Sequence, residues 1–163
     1  MTSSLRRGSF IVAVALAFAV IPAAHPAPKA KRASFSASFA GRLDLLVRPT
    51  GVQGVAWASG TGTGIGKSVF LGTGPAFIGL VTRVGSCPDF SGVFSITAAN
   101  GDKLFGAISR SKGCRTSPTS FRSSGSIRVL GGTGKLASAR GPLSYKAQAD
   151  LNGVFSITLS GTL

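Results

Sequence analysis

The sequence predicts an all-β domain, a sandwich or a barrel of roughly eight or nine strands. Three observations carry this. Helical periodicity is nearly absent after an apolar leader, and apolar residues recur instead at every second position. Gly, Ser, Thr and Pro break the alternating runs at short, regular intervals. A strong hairpin dipeptide, Asn100-Gly101, sits between two such runs.

The chain opens with Arg6 and Arg7, an unbroken apolar run from Phe10 to Ile21, and then small residues around Ala23, Ala24 and Ala27. Basic, apolar and small segments in that order predict a secretory signal peptide over 1–24, with cleavage near 24–27. The run is shorter than the roughly 20 residues that a membrane span takes. Lys29, Lys31 and Arg32 make 25–33 a basic linker, leaving 34–163 as the folded domain. The expected location is secreted or periplasmic, by a bacterial type of export.

Ser34 to Arg48 alternates most clearly. Phe35, Ala37, Phe39, Leu43, Leu45 and Val47 share one face, and Ser, Arg and Asp dominate the other, as in a half-buried antiparallel strand. Gly41 reads as a bulge or bend within it. Strands follow at Val52 to Ser59, Ser68 to Leu71, Ala76 to Val84 and Gly92 to Ala98. Others are expected at Leu104 to Ser109, Gly125 to Leu130, Pro142 to Asp150 and Val154 to Leu159. The string Gly-Val-Phe-Ser-Ile-Thr occurs at Gly92 and again at Gly153, a local solution for a strand used twice.

If Asn100 and Gly101 alone form a type I′ loop, Ala99 faces Asp102, Ile96 faces Phe105 and Phe94 faces Ala107. Carried outward, Cys87 faces Cys114. An exported chain favours a disulfide between two such cysteines.

Gly60 to Ser68, GTGTGIGKS, ends as a phosphate-binding loop does. The motif needs Gly, then four residues, then Gly66-Lys67-Ser68, which asks for Gly at 61, and Thr61 stands there instead. Gly72, Gly74 and Pro75 also forbid the helix that such a loop opens. The stretch is expected to be a turn between strands with Lys67 in solvent, and no nucleotide partner is expected.

Several chemistries lack their residues. His25 is the one histidine and lies in the cleavage region, so the folded domain has no Ser-His-Asp or Cys-His set. With both cysteines bonded, an ordinary zinc site has no ligands. No cofactor and no metal are expected. There is no Glu, and Asp44, Asp89, Asp102 and Asp150 are scattered, each reading as strand-face or turn chemistry.

Charge is lopsided, with 18 Lys and Arg against four acids. Five basic residues precede Ala33, leaving 13 and a net charge of +9 on the folded part. Such a surface attracts anions. Arg110, Lys112, Arg115, Arg122 and Arg128 lie in one Ser-rich stretch, Ser109 to Arg128, expected to be a basic loop. They are the candidate anion-binding residues. Phe121 is the one aromatic there, which argues against stacking on single-stranded nucleic acid. An anionic surface polymer or lipid headgroup is the better partner for an exported chain.

Val129 to Ser144, VLGGTGKLASARGPLS, resembles the Gly-Gly-Thr-Gly segment of the allene oxide cyclase and dirigent families, through Gly131, Gly132, Thr133, Gly134, Leu136, Ala139 and Gly141. The order GTGTGIGK, FSITAANGDKL, GGTGKLASARG also resembles exported bacterial proteins of that barrel type. The resemblance covers about Gly60 to Leu163. It implies an eight-stranded antiparallel β-barrel of calycin kind, with Leu136 plugging the core. Such a barrel is filled by its own side chains or holds one small ligand.

Its interior is expected to draw on Phe35, Phe39, Leu43, Trp57, Phe77, Phe94, Ile96, Phe105, Tyr145, Phe155 and Ile157, around which a small apolar molecule is the candidate ligand. Plant members steer the chemistry of small apolar substrates, but their acidic and tyrosine residues find no matching positions here, and no catalytic residue is assigned. Three functions therefore stand. They are a non-enzymatic exported barrel with or without a small apolar ligand, a cyclase or dirigent-type enzyme needing an Asp inside the barrel, and a binder of anionic surface polymer or lipid.

Overall fold

In the computed structural model the described residues are 33–49, 51–75 and 83–163. The signal peptide and most of the linker, Phe77 and nearly all of the strand expected over 76–84 lie outside them.

Eight antiparallel strands close into a barrel in sequence order: β1 (Ser34–Arg48), β2 (Gly51–Gly62), β3 (Gly66–Pro75), β4 (Asp89–Ala98), β5 (Lys103–Arg115), β6 (Ser120–Gly132), β7 (Gly141–Asp150) and β8 (Val154–Thr162). β8 pairs back onto β1, so no sheet edge is left open. Several strands run past their expected ends. The stretch from Ser109 to Arg128 is not a loop, because most of it is β5 and β6. Its Ser-rich composition is a poor strand former, and the neighbouring strands supply the ladder that propensity does not.

Alternation does what the sequence expects in β1, where Phe35, Ala37, Phe39 and Leu43 point inward. Leu45 and Val47 continue the phase but are exposed. Gly41 is neither bulge nor bend, since β1 keeps an unbroken register with both neighbours. A Cβ there would sit 2.2 Å from the Trp57 carbonyl oxygen, so Gly41 permits a close approach of β2.

The centre of the core is a cluster of rings around Phe70, which is 2% exposed. Its centroid lies 5.7 Å from Phe39 and 6.1 Å from both Phe94 and Phe155. Phe94 and Phe155 are the phenylalanines of the repeated Gly-Val-Phe-Ser-Ile-Thr string. In both copies Phe and Ile face inward and Val faces out. Ile65, in the β2–β3 turn, and Leu136 pack onto the core at one end. Leu136 ends a short 3-10 turn, Gly134–Leu136, tied to the β4–β5 hairpin by Asp102, whose carboxylate accepts from the Lys135 N–H at 3.1 Å.

That hairpin corrects the expected register. Ile96 pairs with Leu104 and Phe94 with Gly106. The loop has three residues, Ala99, Asn100 and Gly101. Gly101 N–H donates to the Ala98 carbonyl at 2.9 Å, Ala98 N–H donates to the Asp102 carbonyl at 2.8 Å, and Gly101 has φ +87°. Asn100 decides it. Its Oδ1 takes the Asp102 N–H at 3.1 Å, so that group is not free to pair with Ala99.

A one-residue slip exchanges the faces of a strand. Leu104, Gly106 and Ile108 therefore point inward, and Phe105, expected in the core, is 44% exposed. Further along, Gly92 pairs with Ile108 but Phe90 pairs with Ser111, so β5 carries one extra residue. That bulge restores the offset expected from the sequence. Asp89 begins β4 opposite Lys112, and Cys87 and Cys114 are bonded, with their Cα atoms 4.0 Å apart.

Candidate functional site

The barrel interior is one candidate. Trp57, expected there, is 49% exposed. In β2 the phase that enters the barrel is Gly54, Ala56 and Ala58, and the large residues face out. The reason is space, because those small residues face the ring cluster around Phe70. Phe35, Phe39, Leu43, Phe94, Ile96, Tyr145, Phe155 and Ile157 are buried as expected. Phe70 was missed, because Val69-Phe70-Leu71 is apolar at three successive positions and alternation assigns it no face.

Among the described residues the interior keeps a cavity of about 40 Å³, lined by Leu43, Ala56, Phe70, Tyr145 and Phe155 among others. It lies toward the barrel end that carries the disulfide. Pockets for drug-sized ligands measure roughly 300–1,000 Å³, so the ring cluster leaves room for only a few waters. The polar groups beside it satisfy one another. Tyr145 Oη and Ser123 Oγ lie 2.7 Å apart, and Ser111, fully buried, completes the group. Burial raises the Tyr145 pKa above 10.0, and hydrogen bonds to Ser111 and Ser123 only partly oppose it.

All four acids are outside the barrel interior. Asp44 accepts from Trp57 Nε1 at 3.4 Å on the outer wall. Asp89 meets Lys112 Nζ at 2.7 Å. Asp102 holds the 3-10 turn, and Asp150 accepts from the Val154 N–H at 2.9 Å in the β7–β8 turn. The acid that a cyclase-type reaction needs inside the barrel is thus not supplied by any Asp of this chain.

The second candidate is a groove of about 450 Å³ on the outer wall of β5–β8. Lys112, Arg122 and Lys146 reach it from three successive strands, with Ser124 between the two lysines and Thr158 beyond Lys146. Register explains the grouping. Lys112 pairs with Ser124, Ser124 with Lys146, and Lys146 with Thr158, so these side chains form one lateral row. Arg122 and Gln148 stand in the next row.

Of the sequence candidates, Lys112 and Arg122 come together here. Arg115 does not join them, because its guanidinium donates to the Ser117 and Pro118 carbonyls and lies 5.9 Å from the Phe121 ring, fastening the β5–β6 turn. Arg128 lies six residues along β6, roughly 20 Å away at strand rise. The Arg110 side chain lies outside the described part. Lys146 was missed. Alternation places it on the solvent face of β7, but only the barrel's pairing puts it beside Ser124.

No family model, curated protein or solved structure matches the chain. The closed barrel does not by itself place the chain among the allene oxide cyclases or dirigent proteins. The disulfide fits an oxidising compartment, and among the described residues no helix is long and apolar enough to cross a membrane.

Proposed function

We propose that the protein acts outside the cytoplasm as a non-enzymatic binding barrel for an anionic cell-surface polymer. The polymer lies along the outer groove of β5–β8. The observation that carries this reading is the convergence of Lys112, Arg122 and Lys146 on one groove, with hydroxyls beside them. Asp89 offsets Lys112 in part, which leaves Arg122 and Lys146 as the principal contacts. A net charge of +9 on the folded part draws polyanions from a distance, and the groove gives them a place to bind.

A sulfated or carboxylated polysaccharide, set against neutral dextran, tests this in a binding titration. The double variant Arg122→Gln/Lys146→Gln is expected to weaken binding about tenfold or more, while Arg128→Gln, with the same change of charge per site, costs much less. Equal losses for charge removal at either place would mean that bulk charge alone attracts the polymer, and the groove reading would be wrong. For a small apolar ligand in the barrel, the resemblance speaks in favour and the 40 Å³ cavity against. A co-purifying mass of drug size in native mass spectrometry would reverse that judgement.

A further inference from the structure

The outer wall opposite the groove has a different character. On β2–β5, Trp57, Val69, Leu71, Val93 and Phe105 all point outward and are about half exposed. Pairing brings them together. Trp57 lies opposite Leu71, Leu71 opposite Ser95, and Ser95 opposite Phe105. Four strands at about 4.8 Å spacing make this patch roughly 15 Å wide. A contiguous apolar area of this kind on a soluble-type surface marks a contact site.

Cations frame it. Arg42 pairs with Trp57 across β1–β2, Lys67 and Lys103 lie two residues from Val69 and Phe105 on the same faces, and Arg128 pairs with Ala107. Arg140 reaches the same edge, where its guanidinium bonds to the Leu130 carbonyl. The one acid at the margin is Asp44, which is held by the Trp57 indole. The geometry points to docking of this wall on an anionic lipid bilayer, with Trp57, Leu71 and Phe105 entering the headgroup region and the frame of Lys and Arg meeting lipid phosphates. Tryptophan prefers that interface, where an apolar ring and a polar N–H are both accommodated.

Charge decides between this partner and a second copy of the chain. Two copies laid patch to patch bring like-charged frames together, with only Asp44 on each side to offset them. An anionic membrane complements the whole frame. The inference is independent of the polymer groove, which shares only β5 with the patch and uses the far end of that strand.

Trp57 is the only tryptophan in the sequence, so its fluorescence reports on the patch alone. The exported protein, with its N-terminus fixed by intact mass, is mixed with vesicles of phosphatidylcholine alone or with an equal part of phosphatidylglycerol. With the anionic vesicles, Trp57 emission is expected to shift to the blue and the protein to sediment with the lipid. Neutral vesicles do neither. Leu71→Ser/Phe105→Ser should lower the partition at least tenfold while near-ultraviolet circular dichroism stays native. Arg128→Gln should lower it about fivefold.

Unchanged emission with anionic vesicles overturns the inference. So does sedimentation that survives Leu71→Ser/Phe105→Ser, which would assign lipid binding to the basic groove instead. A blue shift that grows with protein concentration without lipid, together with a dimer mass, gives the patch to a second copy and also overturns it.

Discussion

The two outer walls of the barrel share one interior and almost nothing else. On β2–β5 the outward positions hold Trp57, Leu71 and Phe105; on β6, β7, β8 and β1 the row that pairs laterally is Ser126, Ser144, Ser160 and Ser36. Folding does not require the difference, since both walls belong to one closed barrel and cover the same core. The exposed half of each apolar side chain on β2–β5 contributes nothing to closing the barrel. The contrast therefore concerns what each wall meets.

The largest expected effect tests the shared interior. Phe70→Ala removes the ring that touches Phe39, Phe94 and Phe155, and should destabilise the fold by about 3–5 kcal/mol in a urea titration. Both walls should be lost in one transition. Two separate transitions would mean that the walls are separate folding units and the comparison is wrongly drawn.

Next in size is the disulfide, which lies just beyond the last β4–β5 pair, Asp89 with Lys112, near the basic groove. Cys87→Ser/Cys114→Ser should cost about 3 kcal/mol in the chain-entropy view, with the early loss of amide protection falling around β4 and β5. Loss centred on β2 and β3 would contradict that placement.

A smaller effect sharpens the account of the cavity. Tyr145→Phe leaves Ser123 without its partner and should cost about 1 kcal/mol. The folded pKa of Tyr145 is raised, so its stabilising contribution is complete below the unfolded value of 10.0. It is lost as pH climbs from there through the folded pKa. Stability should thus decline at alkaline pH more steeply in the wild type than in Tyr145→Phe. Parallel curves would mean that the phenol is not buried. As the sole tyrosine, it can be followed directly by its ultraviolet absorbance.

The smallest effect bears on the walls themselves. Val69→Thr on one and Ser144→Val on the other should each change stability by less than about 0.5 kcal/mol. A loss above about 1 kcal/mol for Val69→Thr would make the apolar wall part of the folding energetics and weaken the case for a docking surface.

Much of this was legible beforehand. The bounds of β1 and the inward faces of β1, β7 and β8 follow from alternation, and the turn between strands within Gly60 to Ser68 from its glycines. The disulfide was also expected, although the register that suggested it is off by one residue near the turn and is put right only by the bulge in β5. Trp57 was misplaced because size suggests burial, and Phe105 because a two-residue loop would set it opposite Ile96. In both, a strand has two phases and its neighbours choose between them. The groove was half visible, as Lys112 and Arg122, because Lys146 reaches it through pairing with a segment distant in sequence.

The sequence by itself determined the strands that alternate, because side chains alternating along an extended backbone need only local geometry, while the Ser-rich ends of β5 and β6 needed their neighbours. Its glycines, Asn100 and prolines likewise set the corners, since the φ angles and hydrogen bonds of a turn are fixed within a few residues. Only the tertiary structure decided which face of β2 and β5 turned inward, which charges met on β5–β8 and how little space the rings left. Those outcomes depend on register and closure, and register is settled by the packing of side chains far apart in the chain.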